Sequence, residues 1–169
     1  MANKDFMTGA YNRRYFFDAG EAIFLKAKRK EKAVAVTMID IDNFKNINDT
    51  YGHDIGDLAI KEIKRVLDKN LRASDLMARF GGEEFCIILE EISEEDVKKL
   101  FEKIRKEFEA NVIDVDEVEI KYTVSFGIAY GLLGSLEEMV ILSDNALYES
   151  KESGRNRVTL RHAEKVADI

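Results

Sequence analysis

At 169 residues, the chain has the usual length of one domain and is too short for two ordinary ones. Hydrophobic residues make up 46% and charged residues 35%, which excludes an intrinsically disordered chain. The net charge of −7 argues against binding to a nucleic acid polymer, and no apolar run approaches the ~18 residues of a membrane span. A single cysteine, Cys86, excludes an internal disulfide and indicates a reducing compartment. We therefore expect one domain over residues 1–169, cytoplasmic and without membrane contact, whether or not a longer parent protein is membrane-attached.

The first half of the chain contains two predicted helices around one strand. Hydrophobic spacing predicts a helix from about Asn12 to Arg29. The nearly continuous apolar run from Ala33 to Ile39 predicts a strand buried on both faces. The apolar residues that then recur at helical spacing are Ile60, Ile63, Leu67 and Leu71.

A hairpin and a third helix follow. Strands are predicted over Leu76–Phe80 and Phe85–Leu89, with Gly81 and Gly82 at the turn between them. Ser93 is a predicted N-cap, because acidic residues of a first turn follow it directly.

The last part of the chain contains a predicted strand, a helix and an edge strand. Strict alternation of apolar residues over Val118–Ile128 predicts one half-buried strand. A helix through Leu136 and Leu147 is expected to stop at Gly154, and Arg157–Leu160 to form an edge strand.

Without its ends, this order is strand, helix, strand, strand, helix, strand. The compact right-handed solution is an α+β fold with a ferredoxin-like, palm-like antiparallel sheet and helices on one face. The third strand then lies between the first two, antiparallel to the first. Asp40 and Asp42, which end the first strand, are therefore expected to lie close to Glu83 and Glu84 of the hairpin.

Such convergent carboxylates allow three interpretations. The carboxylates are interpreted as ordinary solvated side chains of turns, as a site for a hard cation that prefers oxygen ligands, or as a general acid and general base pair. Gly81 and Gly82 favour a functional role, because they permit both a tight turn and close approach of the backbone to a ligand.

The sequence Gly81-Gly82-Glu83-Glu84-Phe85 resembles the signature of GGDEF domains, the diguanylate cyclases, in its Glu-for-Asp form. Met7 departs from the family's opening motif, which has leucine there. The resemblance extends from about Asp5 to Leu160. The other matching segments are Asp5–Gly9, Asn12–Arg14, Asp40–Lys45, Asn48–His53, Gly56–Asp57 and Ser150–Arg157.

The resemblance implies that two GTP molecules are joined into cyclic di-GMP with release of two pyrophosphates. It implies Mg²⁺ (or Mn²⁺), two ions per half-site, bound through Asp40, the carbonyl of Ile41 and Glu83. Glu84 either binds a second ion through water or supports the turn. Either Glu83 as a general base or the metal alone activates the ribose 3′-hydroxyl.

The resemblance also implies a set of phosphate-binding residues. Lys45 would contact the β- and γ-phosphates and stabilise the transition state, and its alternative role is that of a solvated lysine at a helix start. Lys151 would reach the γ-phosphate, or would simply be part of a cationic helix C-terminus. The phosphate-binding set is Asn43, Phe44, Lys45, Lys151 and Arg155, and Gly82 is a further substrate-binding residue.

Guanine recognition is assigned by the same resemblance to Asn48 and Asp57. A carboxylate can accept from the N1–H and N2–H₂ groups of guanine, a donor pair that adenine lacks. Without the resemblance, Asn48 is equally well explained as a helix or turn cap. Asp57 is equally well explained as an acidic residue that the dipole of a helix N-terminus favours. His53 either contacts the nucleotide or forms a local hydrogen bond.

Arg72 and Asp75 stand in the register of the family's product-inhibition site, at which cyclic di-GMP binds. Arginine can contact a phosphate or the Hoogsteen edge of guanine through two parallel hydrogen bonds, and Asp75 would accept from the Watson–Crick donors of guanine. The alternative is an ion pair that ends a helix and shapes the entry to the next strand.

The product requires two nucleotides, whereas one chain has one set of these motifs. We therefore expect a transient or ligand-driven C₂ homodimer in which each chain supplies a half-site. Only Met1–Lys4 precede the first motif, so we expect a minimal protein or an excised catalytic domain, mostly monomeric without product. The alternatives are a catalytically weak receptor for GTP or cyclic di-GMP, a related cyclase with another product, and an interaction module.

Overall fold

The computed structural model describes residues 3–163, so the ends of the predicted domain lie outside the described residues. These residues form a six-stranded sheet, a separate two-stranded hairpin and five helices. The elements in chain order are β1 (Tyr11–Asn12), α1 (Arg13–Lys30), β2 (Val34–Ile41), α2 (Phe44–Tyr51), α3 (His53–Asn70), β3 (Leu76–Gly81), β4 (Glu84–Glu90), α4 (Glu94–Ala110), β5 (Ile113–Val115), β6 (Val118–Ile120), β7 (Val124–Gly131), α5 (Leu136–Glu152) and β8 (Val158–Ala163).

The strand order confirms the predicted antiparallel core. The six-stranded sheet has the order β1-β3-β4-β2-β7-β8, so the second strand of the hairpin lies between its first strand and β2. β2 is antiparallel to both of its neighbours, β4 and β7. Two parallel strands, β1 and β8, extend this core at its edges.

Helices cover both faces of the sheet in the whole domain, whereas the expectation of helices on one face concerned only the core without its ends. Apolar residues of α3 and α4, such as Ile63 and Phe101, form one core with β2, β4 and β7. Residues of α1 and α5, such as Phe24 and Met139, form a second core on the opposite face. The two helices of the predicted strand-helix-strand-strand-helix-strand core share one face, as expected. The flanking helices cover the other face, which explains why β2 is buried on both sides.

The helix boundaries follow from capping side chains. Asn12 caps α1, and its side chain accepts from the N–H of Tyr15 at 2.9 Å. Ser93 caps α4 as predicted and accepts from the N–H of Asp96 at 3.1 Å. Such a cap satisfies a backbone donor that the first helical turn leaves without a partner.

The single strand predicted over Val118–Ile128 is wrong, because two elements occupy this segment. Asp116 and Glu117 both have positive φ, and they form the turn of the β5–β6 hairpin. The later residues belong to β7, which is buried on both faces rather than one. Large and small residues alternate along β7 because α5 packs closely against the small ones. At Gly127, for example, a Cβ atom would lie only 2.7 Å from Leu147 Cα.

The register between β2 and β4 brings the predicted acidic groups together. Asp40 is directly paired with Glu84 across the two strands. The β3–β4 turn therefore lies at the same end of the sheet as the end of β2. Because α2 begins only two residues after β2, its N-terminus lies at this end as well.

Among residues 3–163, no helix is both long enough and apolar enough to cross a membrane.

Candidate active site

The partly buried carboxylate of Asp40 is the centre of the acidic cluster at the sheet end. Its Oδ1 atom is buried and has no hydrogen-bond partner among the described residues. Burial, together with the negative charges of Glu83, Glu84 and Asp42, raises the pKa of Asp40 to about 7 against the attraction of Lys151. A buried oxygen without a hydrogen bond, next to further carboxylates, is a donor set suited to a hard cation.

Glu83 and Glu84 differ in their environment although they are adjacent. Glu83 lies in the turn after Gly82, whose φ of 23° is in the positive region, and Glu84 begins β4. Burial and the charges of Asp144 and Glu83 raise the pKa of Glu84. Within residues 3–163, no three His, Cys, Asp or Glu side chains already form a complete metal-binding group. Backbone carbonyl and phosphate oxygens would have to complete the coordination of an ion here.

Asp42, the second acid at the end of β2, points into a separate network of hydrogen bonds. Its carboxylate accepts from the hydroxyls of Thr123 at 2.7 Å and Ser125 at 2.6 Å. It also accepts from the backbone N–H of Asn156 at 2.9 Å and from Lys151 Nζ at 2.8 Å. Burial favours a raised pKa, but these hydrogen bonds outweigh it and lower the pKa of Asp42.

Lys151 lies between the two aspartates in this structure. Its Nζ donates to the carbonyl of Ile41 at 3.2 Å and lies 3.8 Å from Asp40 Oδ1. Asp42 therefore places the ammonium group of Lys151 against the backbone where β2 ends. The side chain of Arg155, by contrast, is exposed in a turn with positive φ after α5.

The N-terminus of α2 lies at the same end of the sheet. Asn43 precedes this helix with a φ of 55°, and Phe44 packs partly against the core. Lys45 is exposed and forms an ion pair with Asp49 at 3.0 Å. Backbone N–H groups at a helix start, with an exposed lysine beside them, can bind an anionic group.

The residues predicted to recognise the base lie on α2 and α3. Asn48 is partly buried and its Oδ1 atom has no hydrogen-bond partner among the described residues. Asp57 is half-buried in the second turn of α3, and His53 is exposed at its start. The two helices pack against each other, which brings Asn48 and the first turn of α3 into contact.

Arg72 and Asp75 form a compact ion pair in the loop between α3 and β3. Arg72 Nη2 lies 3.1 Å from Asp75 Oδ1, and the backbone N–H of Arg72 donates to Asp75 Oδ2 at 2.7 Å. The Asp75 side chain is only 3% exposed, whereas that of Arg72 is 53% exposed. Arg72 is thus accessible to a ligand in this arrangement, and Asp75 mainly orients it. A groove of about 470 Å³ adjoins the pair.

The N-terminal segment is connected to the glutamate hairpin by Arg79. Its guanidinium donates to both carboxylate oxygens of Asp5 at 3.1 Å and to the carbonyl of Gly82 at 2.9 Å. Asp5 also accepts from the backbone N–H and the hydroxyl of Thr8. This connection stabilises the turn that positions Glu83.

The Asp5 contacts predict an acid-dependent contribution to stability. Burial favours a raised pKa, but hydrogen bonds from Thr8 and Arg79 outweigh it and lower the pKa of Asp5. Such a group stabilises the fold above its unfolded pKa, and the stabilisation is lost as the pH falls through the lower, folded pKa. We expect Asp5→Asn to reduce the free energy of unfolding by about 1–2 kcal/mol at pH 7 and by much less near pH 2. Urea denaturation at both pH values measures this.

Exposed Asp49 supplies the control for that prediction. Asp49→Asn is expected to change the stability by less than about 0.5 kcal/mol at either pH. An equal effect of Asp5→Asn at pH 2 and pH 7 would show that the ionised carboxylate does not stabilise the turn.

Three residues of the site are absent from the sequence-based expectations: Thr123, Ser125 and Asn156. They were not predicted because they bind Asp42 across 81 or more positions of the chain. The available signal was the pair of hydroxyl residues that alternates with apolar residues at the start of β7.

Comparisons with known proteins show the family to which this chain belongs. Residues 2–157 match the sequence profile described as "Diguanylate cyclase, GGDEF domain". The chain is 41% identical over 165 residues to the probable diguanylate cyclase DgcT of Escherichia coli, covering 95% of this chain and 36% of that protein. It is also 41% identical over 165 residues to diguanylate cyclase A of Treponema denticola, covering 95% and 44% respectively.

A solved structure shows the same fold. The GGDEF domain of DgcB from Caulobacter crescentus, in complex with cyclic di-GMP, superposes with a TM-score of 0.90 at 33% identity. The alignment covers 95% of this chain and 96% of that one. This chain belongs to the GGDEF domain family, whose diguanylate cyclases are nucleotidyltransferases that use divalent metal ions. It spans less than half the length of the two curated relatives.

Proposed function

We propose that this chain is a diguanylate cyclase domain that condenses two GTP molecules into cyclic di-GMP. In each of two steps, a ribose 3′-oxygen forms a bond to the α-phosphorus of the other nucleotide. The bond from that phosphorus to the α–β bridging oxygen breaks, pyrophosphate leaves, and the hydroxyl proton is transferred to a base. The buried Oδ1 of Asp40, which lacks a hydrogen bond and lies beside the hairpin glutamates, is the observation that supports this proposal most.

The residues at the sheet end suit a divalent ion. We assign Asp40, the carbonyl of Ile41 and Glu83 as ligands of Mg²⁺ or Mn²⁺, with Glu84 as a further ligand through water, and two ions in each half-site. When bound, the ions neutralise the triphosphate and stabilise negative charge at the attacked phosphorus and on the leaving pyrophosphate. Glu83 is placed at the turn, where it can accept the proton of the 3′-hydroxyl.

The remaining residues bind and orient the nucleotide. The backbone N–H groups of Asn43 and Phe44, with Lys45, would bind the β- and γ-phosphates. Lys151 would leave the carbonyl of Ile41 and bind a γ-phosphate oxygen instead. Arg155 would bind the γ-phosphate as well. The backbone of Gly82 leaves room for the substrate because it has no side chain.

The base would lie between α2 and α3. Asp57 would accept from the N1–H and N2–H₂ groups of guanine, and the amide of Asn48 would add a directional contact. His53 would contact the nucleotide from the exposed start of α3.

Each chain would supply one half-site of a C₂ homodimer, because the two 3′-hydroxyls attack in opposite directions. Two GTP molecules bound to facing domains place each hydroxyl against the other α-phosphate without a second site on one chain. We expect this dimer to be transient and driven by ligand.

Incubation with GTP tests the proposed activity directly. Protein mixed with GTP and Mg²⁺ should yield cyclic di-GMP and two pyrophosphates per product, identified by mass. A receptor would bind GTP or cyclic di-GMP without turnover, and a related cyclase would give a product of different mass. Either result would contradict the proposal.

Product inhibition through Arg72 is expected, because its exposed guanidinium is accessible and its partner Asp75 fixes its direction. Arg72→Ala should give a more linear progress curve and reduce inhibition by added cyclic di-GMP about tenfold or more, with little change in the initial rate. Progress curves at several GTP concentrations measure this.

Arg65 is the matched control for Arg72, since it is also exposed and paired with a carboxylate three positions away, Glu62. Arg65→Ala should leave the progress curve unchanged. Inhibition that persists in Arg72→Ala and is overcome by excess GTP would place the product at the substrate site and exclude a separate inhibitory site.

A further inference from the structure

Gly56, in the first turn of α3, packs directly against the side chain of Asn48 on α2. A Cβ atom at position 56 would overlap Asn48 Oδ1 and would lie 3.0 Å from its Cγ. The same atom would lie 3.2 Å from Phe44 Cζ. The bare backbone of Gly56 therefore creates the space that the Asn48 amide occupies.

The orientation of this amide is set by packing rather than by hydrogen bonds. Asn48 Oδ1 is buried, and none of the described residues donates a hydrogen bond to it. A buried acceptor without a partner is unfavourable, so steric contacts must maintain the arrangement. With the oxygen against Gly56, the amide nitrogen is the end of the side chain that remains for a ligand.

We propose that Gly56 is a positioning residue that fixes the Asn48 amide and thereby determines the preference for guanine over adenine. This inference rests on the proposed role of Asn48 in binding the base. Guanine has an acceptor at position 6, whereas adenine has an amino donor there. A side chain that presents N–H donors toward that edge therefore favours guanine.

Gly56→Ala separates this role from a role in folding. Alanine is favoured over glycine within a helix, so the substitution does not oppose formation of α3. The substitution displaces the end of the short Asn48 side chain. The Phe44 ring needs to shift by only a few tenths of an ångström. The expected effect is therefore a displaced amide in a folded domain.

Gly20 supplies a matched control on α1. It is also a buried helical glycine, and a Cβ there would lie 2.9 Å from Leu136 Cδ2, the end of a side chain in the second core. Gly20→Ala thus introduces a similar steric contact away from α2 and α3.

The test compares nucleotide binding in a double-mutant cycle. Isothermal titration calorimetry in Mg²⁺ buffer would measure the affinities of GTP and ATP analogues with a methylene group between the α- and β-phosphates. The variants are the wild type, Gly56→Ala, Asn48→Ala, the double variant and Gly20→Ala. Thermal unfolding of each variant reports whether the domain is folded.

Gly56→Ala and Asn48→Ala should each weaken binding of the GTP analogue about tenfold while changing binding of the ATP analogue little. In the Asn48→Ala background, Gly56→Ala should have no further effect, because its action passes through the missing amide. Gly20→Ala should retain the guanine preference of the wild type.

The outcomes separate this inference from the proposed function. Loss of the preference in Asn48→Ala with full retention in Gly56→Ala would overturn the inference and leave the proposed function intact. An additional loss in the double variant would likewise overturn it, because Gly56 would then act through another residue. No guanine preference in the wild type would contradict the proposed base site itself.

Discussion

Glu83→Gln is expected to reduce the rate of cyclic di-GMP formation by at least about a hundredfold. The glutamine side chain has nearly the same size, but it lacks the negative charge that strengthens binding of a divalent ion and cannot accept the 3′-hydroxyl proton. Glu83 lies in a turn rather than in the core, so the fold should be unaffected. Product formation from GTP and Mg²⁺, with the melting temperature measured in parallel, checks both statements.

Asp40→Asn provides an independent test of the same cluster. It should reduce activity to a similar extent, because Asp40 is the proposed metal ligand at the end of β2, paired with Glu84 of the hairpin. The melting temperature in metal-free buffer should stay the same or rise, since the substitution removes a negative charge that Glu83, Glu84 and burial all disfavour.

Glu95→Gln is the control for both variants, because Glu95 is exposed on α4 and paired only with Lys99 among the described side chains. It should retain full activity. Turnover like that of the wild type in Glu83→Gln at saturating Mg²⁺ would exclude Glu83 from the chemistry.

The proximity of Asp40 to the hairpin glutamates could be predicted from the sequence, because the strand topology determines it. Once strand order and handedness are known, the end of β2 and the β3–β4 turn must lie at the same end of the sheet. No side-chain detail is needed for this step. The register that pairs Asp40 with Glu84 confirms it.

The environment of β7 could not be predicted in the same way. Its alternation of large and small residues is typical of a strand with one exposed face. In the structure, the small residues instead face α5, and Gly127 allows the helix backbone to approach closely. Periodicity reports side-chain size and polarity, whereas the covering helix is specified elsewhere in the chain.

The hydrogen-bond partners of the Asp42 side chain could not be predicted from the sequence either. Two acids separated by one residue in Asp40-Ile41-Asp42 suggest a common role. The structure gives them different partners, since Asp40 adjoins the hairpin glutamates and Asp42 binds Ser125 and Lys151. Only the three-dimensional contacts reveal that the buried Oδ1 of Asp40 lacks a hydrogen bond, whereas Asp42 is fully hydrogen-bonded.

Asp42→Ala is expected to destabilise the domain by about 3–5 kcal/mol, the range observed when one partner of a buried ion pair is removed. The substitution leaves the ammonium of Lys151 without its nearest counter-charge and removes the acceptor for two hydroxyls and a backbone N–H. Urea denaturation of the wild type and the variant at pH 7 measures the loss. Asp49→Ala breaks an exposed pair with Lys45, and it should cost less than about 1 kcal/mol.

A second substitution tests whether the uncompensated charge of Lys151 causes the loss. Lys151→Met in the Asp42→Ala background should restore part of the stability, because it removes the unpaired ammonium and keeps an apolar stem of similar length. The two substitutions should therefore be less destabilising together than the sum of their separate effects. If instead the effects are additive, or if Asp42→Ala costs no more than Asp49→Ala, the ion pair does not stabilise this end of the sheet. Lys151 would then be free to approach a phosphate without first leaving a stable contact.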